Sequence, residues 1–362
     1  MFLAGALANP IPGFSRLYGG LLICFAVSAL LPYLSQRNGR TSRTHVAALV
    51  ARNSAGHTRI HLACKNGELR SLPAEVLTSA YLTLKNDAGY TPLHHAAIGG
   101  HLDQVPPSVL TAQNLSIRSN AGYTVFHTAA AHGNLGQIPA ALVTDEVLQS
   151  ANGTGNTILH EAAEHGTLDR IPSEFLTPAN LARKNLSGET VIHVAAFNGH
   201  LDQLPTSILT RDALQETTTA GDTVFHAAAI SGHLEQIPPA LLVFENLSIP
   251  SKTGFTAAHA AAETGQLGKI PRAQLTASLL VTRNDNGDTP LHAAAYEGHL
   301  DQVPGEILTK ERMATRNYDG VSVASLAVER GHISQIPEAS RPKAFGPVSR
   351  LLRRISRTRT PF

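Results

Sequence analysis

Histidine is the side chain best suited to chemistry in this sequence, and it recurs at a fixed interval. His61, His94, His127, His160, His193, His226, His259 and His292 stand 33 residues apart, and Ser325 takes the next place. A row of imidazoles invites a metal reading, because neutral imidazole is a common ligand. The spacing opposes it. Stacked helices lie roughly 8–10 Å apart, whereas zinc holds a nitrogen at about 2.0–2.1 Å. Neighbouring members of the row cannot share one ion, so no metal site is read from them. A position repeated this regularly is expected to serve the packing of a repeated unit. His101, His200, His233, His299 and His332 each follow a glycine in a second register and take the same structural reading.

Other signals of catalysis are missing. There is no Gly-x-x-x-x-Gly-Lys-Ser/Thr phosphate loop and no Gly-x-Ser-x-Gly elbow. Glu297 stands near Asp301, whose position is acidic in several units, so Asp301 belongs to a repeated surface. Cys24 and Cys64 lie in unrelated segments and imply neither a disulfide framework nor a metal knuckle. Cys64 reads as a small buried hydrophobe. Asn-x-Ser/Thr triplets at 114, 152, 185 and 246 would accept glycans only in a secretory compartment. No enzymatic activity and no cofactor are expected.

The elements that carry the histidines follow the same period. Glycines at 56, 89, 122, 155, 188, 221, 254, 287 and 320 form one register, and glycines at 67, 100, 133, 166, 199, 232, 265, 298 and 331 form another. One fixed period without a slip is the mark of a solenoid, in which each supersecondary unit stacks on the next. The motif Thr-Pro-Leu-His at 91–94 and 289–292, followed by alanines and then Gly-His, resembles the ankyrin repeat. The resemblance covers about residues 44–338. A tetratricopeptide unit would need a Trp-x-x-Leu-Gly start, and the chain has no Trp; leucine-rich units are shorter, roughly 20–29 residues. The implied fold is an all-α ankyrin-like repeat solenoid of about nine 33-residue units.

Each residue type in the unit has a local reason. The first glycine suits a turn at positive φ. Thr91 or Thr223 caps a helix by accepting an otherwise unpaired N–H. Pro92 and Pro290 occupy the first helical position, where a missing N–H costs nothing. Paired alanines keep the helices thin, and the second glycine suits a helix C-cap. By the resemblance, the histidine bridges adjacent turns through hydrogen bonds.

The second half of the unit departs from the family pattern. Proline stands at 73, 106, 139, 172, 205, 238, 271, 304 and 337, and inside a helix each would cost about 3 kcal/mol. Each is therefore read as a helix start. A Thr five residues later (78, 111, 144, 177, 210, 276, 309, with Val243 the exception) caps a further short turn. The outer layer is expected to be two short helical pieces at an angle.

Charge divides the chain. All 27 Asp and Glu fall in 44–340, against 18 Lys and Arg there, while both ends are basic without acids. An acidic solenoid argues against nucleic acid as partner. After a leader at 1–16, residues 17–36 carry no charge, and about 20 apolar residues can span a bilayer. Three readings stand: a membrane anchor, a cleaved secretory signal ending near Val27-Ser28-Ala29, which would leave a secreted protein, or a buried helix. Arg37, Arg40 and Arg43 outnumber Arg16, which for an anchor places the repeats on the cytoplasmic side. A linker at 37–43 leads to a truncated unit at 44–54, with nine units from 55. In the tail at 339–362, Val348, Leu351, Leu352 and Ile355 form an apolar stripe beside Arg350, Arg353, Arg354 and Arg357. That helix would cover the last unit, or meet an anionic membrane or an acidic partner.

What remains is a binding surface. In a solenoid, fixed positions hold the fold and variable ones are free for recognition. By the resemblance, the residue before the capping Thr and the residue after the paired alanines line one concave face. Tyr90, Ile98, Tyr123, Phe197, Ile230, Phe255 and Tyr296 are the apolar candidates there. The expected function is a scaffold or adaptor that recognises another protein. The alternative is an adaptor bound to a membrane surface or nucleic acid through its basic ends.

Overall fold

The computed structural model describes residues 41–341. Two units divide between Leu49 and Val50. The described part of the first lies within the helix Thr41–Val50, and the second carries the repeats.

One unit shows how the sequence builds its elements. Asn86 accepts the Tyr90 N–H on Oδ1 at 2.9 Å and donates its own N–H to the Tyr90 carbonyl at 2.8 Å. This closes a tight turn in which Gly89 has φ 80°. Thr91 follows with extended backbone and caps the helix Pro92–Gly99, with Pro92 at its start. Gly100 ends that helix in the left-handed conformation, at φ 75°. Two short turns come next, a 3-10 turn at Leu102–Gln104 and a turn over 107–109 after Pro106. Thr111 then caps one α turn, Ala112–Leu115, by accepting the Asn114 N–H at 3.2 Å.

The same order recurs. Inner helices run Arg59–Asn66, Pro92–Gly99, Val125–Ala131, Ile158–His165, Val191–Asn198, Val224–Ser231, Ala257–Glu263, Pro290–Glu297 and Val323–Glu329. Each packs on the next in chain order. Both glycine registers hold positive φ throughout.

The outer layer corrects the expectation of two pieces. Three short pieces follow most inner helices, as in Leu201–Gln203, Thr206–Ile208 and Arg211–Gln215, and two are described after Val323–Glu329. Proline stands before the second piece and not inside it: Pro205 has φ −56° and ψ 132°, an extended conformation that ends one 3-10 turn and precedes another. The change of direction at each proline breaks what would otherwise be one long helix. Pro337 leads into the same turn at Glu338–Ser340.

The core lies between the two layers. Leu93, Leu102 and Leu115 come from three different pieces of one unit, and all are fully buried. Ala96 and Ala97 are buried too, which lets neighbouring inner helices pack closely. Cys64 is a buried free cysteine, as its apolar place in the frame suggests, and burial pushes its thiol up.

Backbone bonds tie the turns together one period apart. Asn120 N–H reaches the Ala88 carbonyl at 3.0 Å, Leu186 N–H reaches Thr154 at 3.1 Å, and Tyr318 N–H reaches Asn286 at 3.0 Å. This close approach is a second reason for glycine. A Cβ on Gly122 would sit 2.6 Å from the Gly153 nitrogen. Among the described residues, extended pairing is confined to isolated bridges beside the turns, such as Lys184 with Thr190.

Among the described residues no helix is long and apolar enough to cross a membrane. The uncharged run at 17–36 and the tail arginines Arg350, Arg353, Arg354 and Arg357 lie outside the described residues.

Candidate functional site

The inner helices and the turns before them carry the candidate positions, and the motif histidines fix their geometry. His193 accepts the Thr190 N–H on Nδ1 at 3.2 Å, and the Thr190 hydroxyl lies 2.8 Å from the same nitrogen. With Nδ1 accepting, the proton sits on Nε2, which donates to the Asp222 carbonyl at 3.2 Å in the next unit. The same contact joins His61 to Tyr90, His94 to Tyr123, His127 to Asn156, His160 to Glu189, His226 to Phe255, His259 to Asp288 and His292 to Val321. Burial disfavours the imidazolium. It holds His61, His94, His127 and His259 down at about 4, and lowers the other four as well. The row is therefore a set of neutral, fully used side chains.

A second bridge went unread in the sequence. Gln137 accepts the Leu102 N–H at 2.9 Å and donates to the Gly100 carbonyl at 2.8 Å. Gln203, Gln236 and Gln335 do the same for the units before them. Its signal was a glutamine at one frame position, hidden because Ser71, Arg170 and Lys269 replace it in three units.

The seven apolar candidates divide into two groups. Tyr90, Ile98, Tyr123 and Phe255 are partly buried, and three of them rest on histidines: Tyr90 on His94 at 5.2 Å, Tyr123 on His127 at 6.2 Å and Phe255 on His259 at 5.2 Å between ring centres. Phe197, Ile230 and Tyr296 stand out, at 51%, 45% and 37% exposed. They share one frame position, with Glu263 between Ile230 and Tyr296 and Glu164 one unit before Phe197. Consecutive inner helices carry Phe197 and Ile230 as a ladder, and Tyr296 extends it two units further on. The Arg330 guanidinium covers one face of Tyr296, 3.5 Å from the ring centre. Two exposed apolar residues at turn tips, Leu186 and Tyr318, were not singled out from sequence.

The position after the motif histidine is buried in most units and varies in polarity. It reads Leu62, His95, Thr128, Glu161, Val194, Ala227, Ala260 and Ala293. His95 is buried with both ring nitrogens lacking a partner among the described residues, and its ring meets His57 edge-on at 4.9 Å. Burial holds it down at about 3. Glu161 is fully buried, and burial pushes its carboxyl up to about 7.

Two family models match the sequence. The one described as ankyrin repeats in three copies matches residues 60–143, and the one described as ankyrin repeat matches residues 286–312. The chain carries ankyrin repeats. Between the matched segments, the ankyrin units at Ile158–His165, Val191–Asn198 and Val224–Ser231 keep the Thr–His cap and positive-φ glycines. No curated protein matches the chain.

Proposed function

We propose that this ankyrin solenoid is a protein-binding scaffold and that Phe197, Ile230 and Tyr296 anchor an apolar segment of its partner. The observation that carries this reading is the exposed ladder. Large apolar side chains recur at one frame position, on the neighbouring helices of Phe197 and Ile230 and again at Tyr296, where Ala131 is small and buried. Aromatic and aliphatic anchors on a rigid scaffold supply contact area at modest entropic cost. Glu263 sits within the ladder and would favour a partner with a basic residue beside its apolar ones. The reading assigns no chemical step to the chain.

The test compares full-length wild type with F197D/I230D by quantitative affinity capture, with S207D as an outer-layer control. Partners held through the ladder are lost from the double variant, retained by S207D and little affected by moderate salt. Equal retention by all three would rule out the ladder as the binding face.

The uncharged run at 17–36 supports a further proposal, that the scaffold is tethered to a membrane with its repeats in the cytoplasm. Resistance to alkaline extraction with an intact N-terminus is the expected result. A mature chain that starts near Leu30 would point instead to secretion after signal cleavage.

A further inference from the structure

One inner helix brings three metal-ligand side chains to a common face. Glu161, Glu164 and His165 stand at i, i+3 and i+4 on Ile158–His165. One donor atom from each lies within 4.8 Å of the others. Glu164 and His165 are exposed, so the cluster opens to solvent, while Glu161 forms its floor.

Glu161 is the residue the fold does not explain. Its Oε1 accepts from Asn152 Nδ2 at 2.8 Å and Asn156 Nδ2 at 3.1 Å. Its Oε2 is buried and has no hydrogen-bond partner among the described residues. A buried oxygen left without a donor is costly. The ankyrin frame does not require a carboxylate here, because Val194, Ala227, Ala260 and Ala293 fill the same position.

His165 is already oriented as a ligand. Its Nδ1 lies 3.0 Å from the Glu161 carbonyl, which can only accept, so Nδ1 carries the proton and Nε2 the lone pair. Metal-bound histidines are commonly oriented by this kind of bond to a backbone carbonyl. Two carboxylate oxygens with one imidazole suit a divalent transition metal, whereas calcium takes six to eight oxygens.

We propose that Glu161, Glu164 and His165 form a binding site for a divalent transition-metal ion of the Zn2+ class, with water completing its coordination. The ion supplies the buried Oε2 with the partner it lacks. The site uses none of Phe197, Ile230 and Tyr296, although Glu164 stands at their frame position one unit before Phe197.

The test uses untagged full-length protein stripped of metal, titrated with Zn2+ by calorimetry slightly above neutral pH and with Co2+ by visible absorption. One equivalent of Zn2+ binds to wild type, and E164Q, H165N and E161Q each weaken it by about tenfold or more. The visible Co2+ bands are lost in H165N, and millimolar Ca2+ does not displace Zn2+. H299N, which changes a histidine outside the cluster, leaves binding intact. E164Q and H165N alter exposed side chains, so they remain informative if E161Q folds poorly. No stoichiometric binding, or binding that survives E164Q and H165N, overturns the proposal.

Discussion

His193 and Asp222 stand 29 residues apart and are joined by one hydrogen bond, from Nε2–H to the backbone carbonyl at 3.2 Å. The same imidazole closes its own helix cap through Nδ1. One side chain thus couples a cap within a unit to the turn of the next.

Replacing His193 with Ala removes both connections and leaves the buried Thr190 N–H and the half-buried Asp222 carbonyl each short of a partner. H193A should lower stability by about 1–3 kcal/mol. The check is the urea midpoint and slope of the purified chain. A change within about 0.5 kcal/mol would show that water replaces the ring without loss.

Protonation attacks all of these bridges at once. The folded chain holds the motif rings below the ordinary histidine value of 6.5, down at about 4 for His61, His94, His127 and His259. Above 6.5 both folded and unfolded rings are neutral, and the contribution is whole. As pH falls from 6.5 toward about 4, the unfolded chain binds protons that the folded chain refuses, and stability drops. Each ring contributes at most about 1.4 kcal/mol per pH unit in that window. Glu161 and Glu263, held above their ordinary value by burial, act in the opposite sense, but two carboxyls do not offset eight rings. The urea midpoint should fall clearly between neutral pH and about pH 5. A flat profile there would mean that the rings titrate freely in the fold.

Gly122 tests the contact between turns. It combines φ 83° with a Cβ position 2.6 Å from the Gly153 nitrogen. G122A should cost about 1–3 kcal/mol from backbone strain alone. Gly136 has open space around its Cβ position and no positive φ, so G136A should be tolerated. Thermal melts of the two variants make the comparison, and equal melting temperatures would refute the crowding argument.

Much of this protein was legible before any coordinates. The period set the unit. Glycine, Thr, Pro and His at fixed offsets marked the turn, the cap, the helix start and the bridge, because each meets a backbone requirement satisfied within a few residues. The prolines correctly excluded a long outer helix, but not the number of pieces that replaced it. A proline fixes its own φ and removes one donor; it does not say whether the residues on either side close 3-10 turns or α turns.

The tertiary structure decided which side chains are exposed and which are paired. Tyr90, Tyr123 and Phe255 looked as available as Phe197 and Ile230, yet they lie against histidines. Glu161 and Ala260 share one frame position, and only burial shows that the carboxylate has an oxygen without a donor. Gln137 spans to a carbonyl 37 residues earlier. Local chemistry is encoded locally and can be read there. Exposure and the bridges between units arise when the units stack, because each unit buries its neighbour's surface.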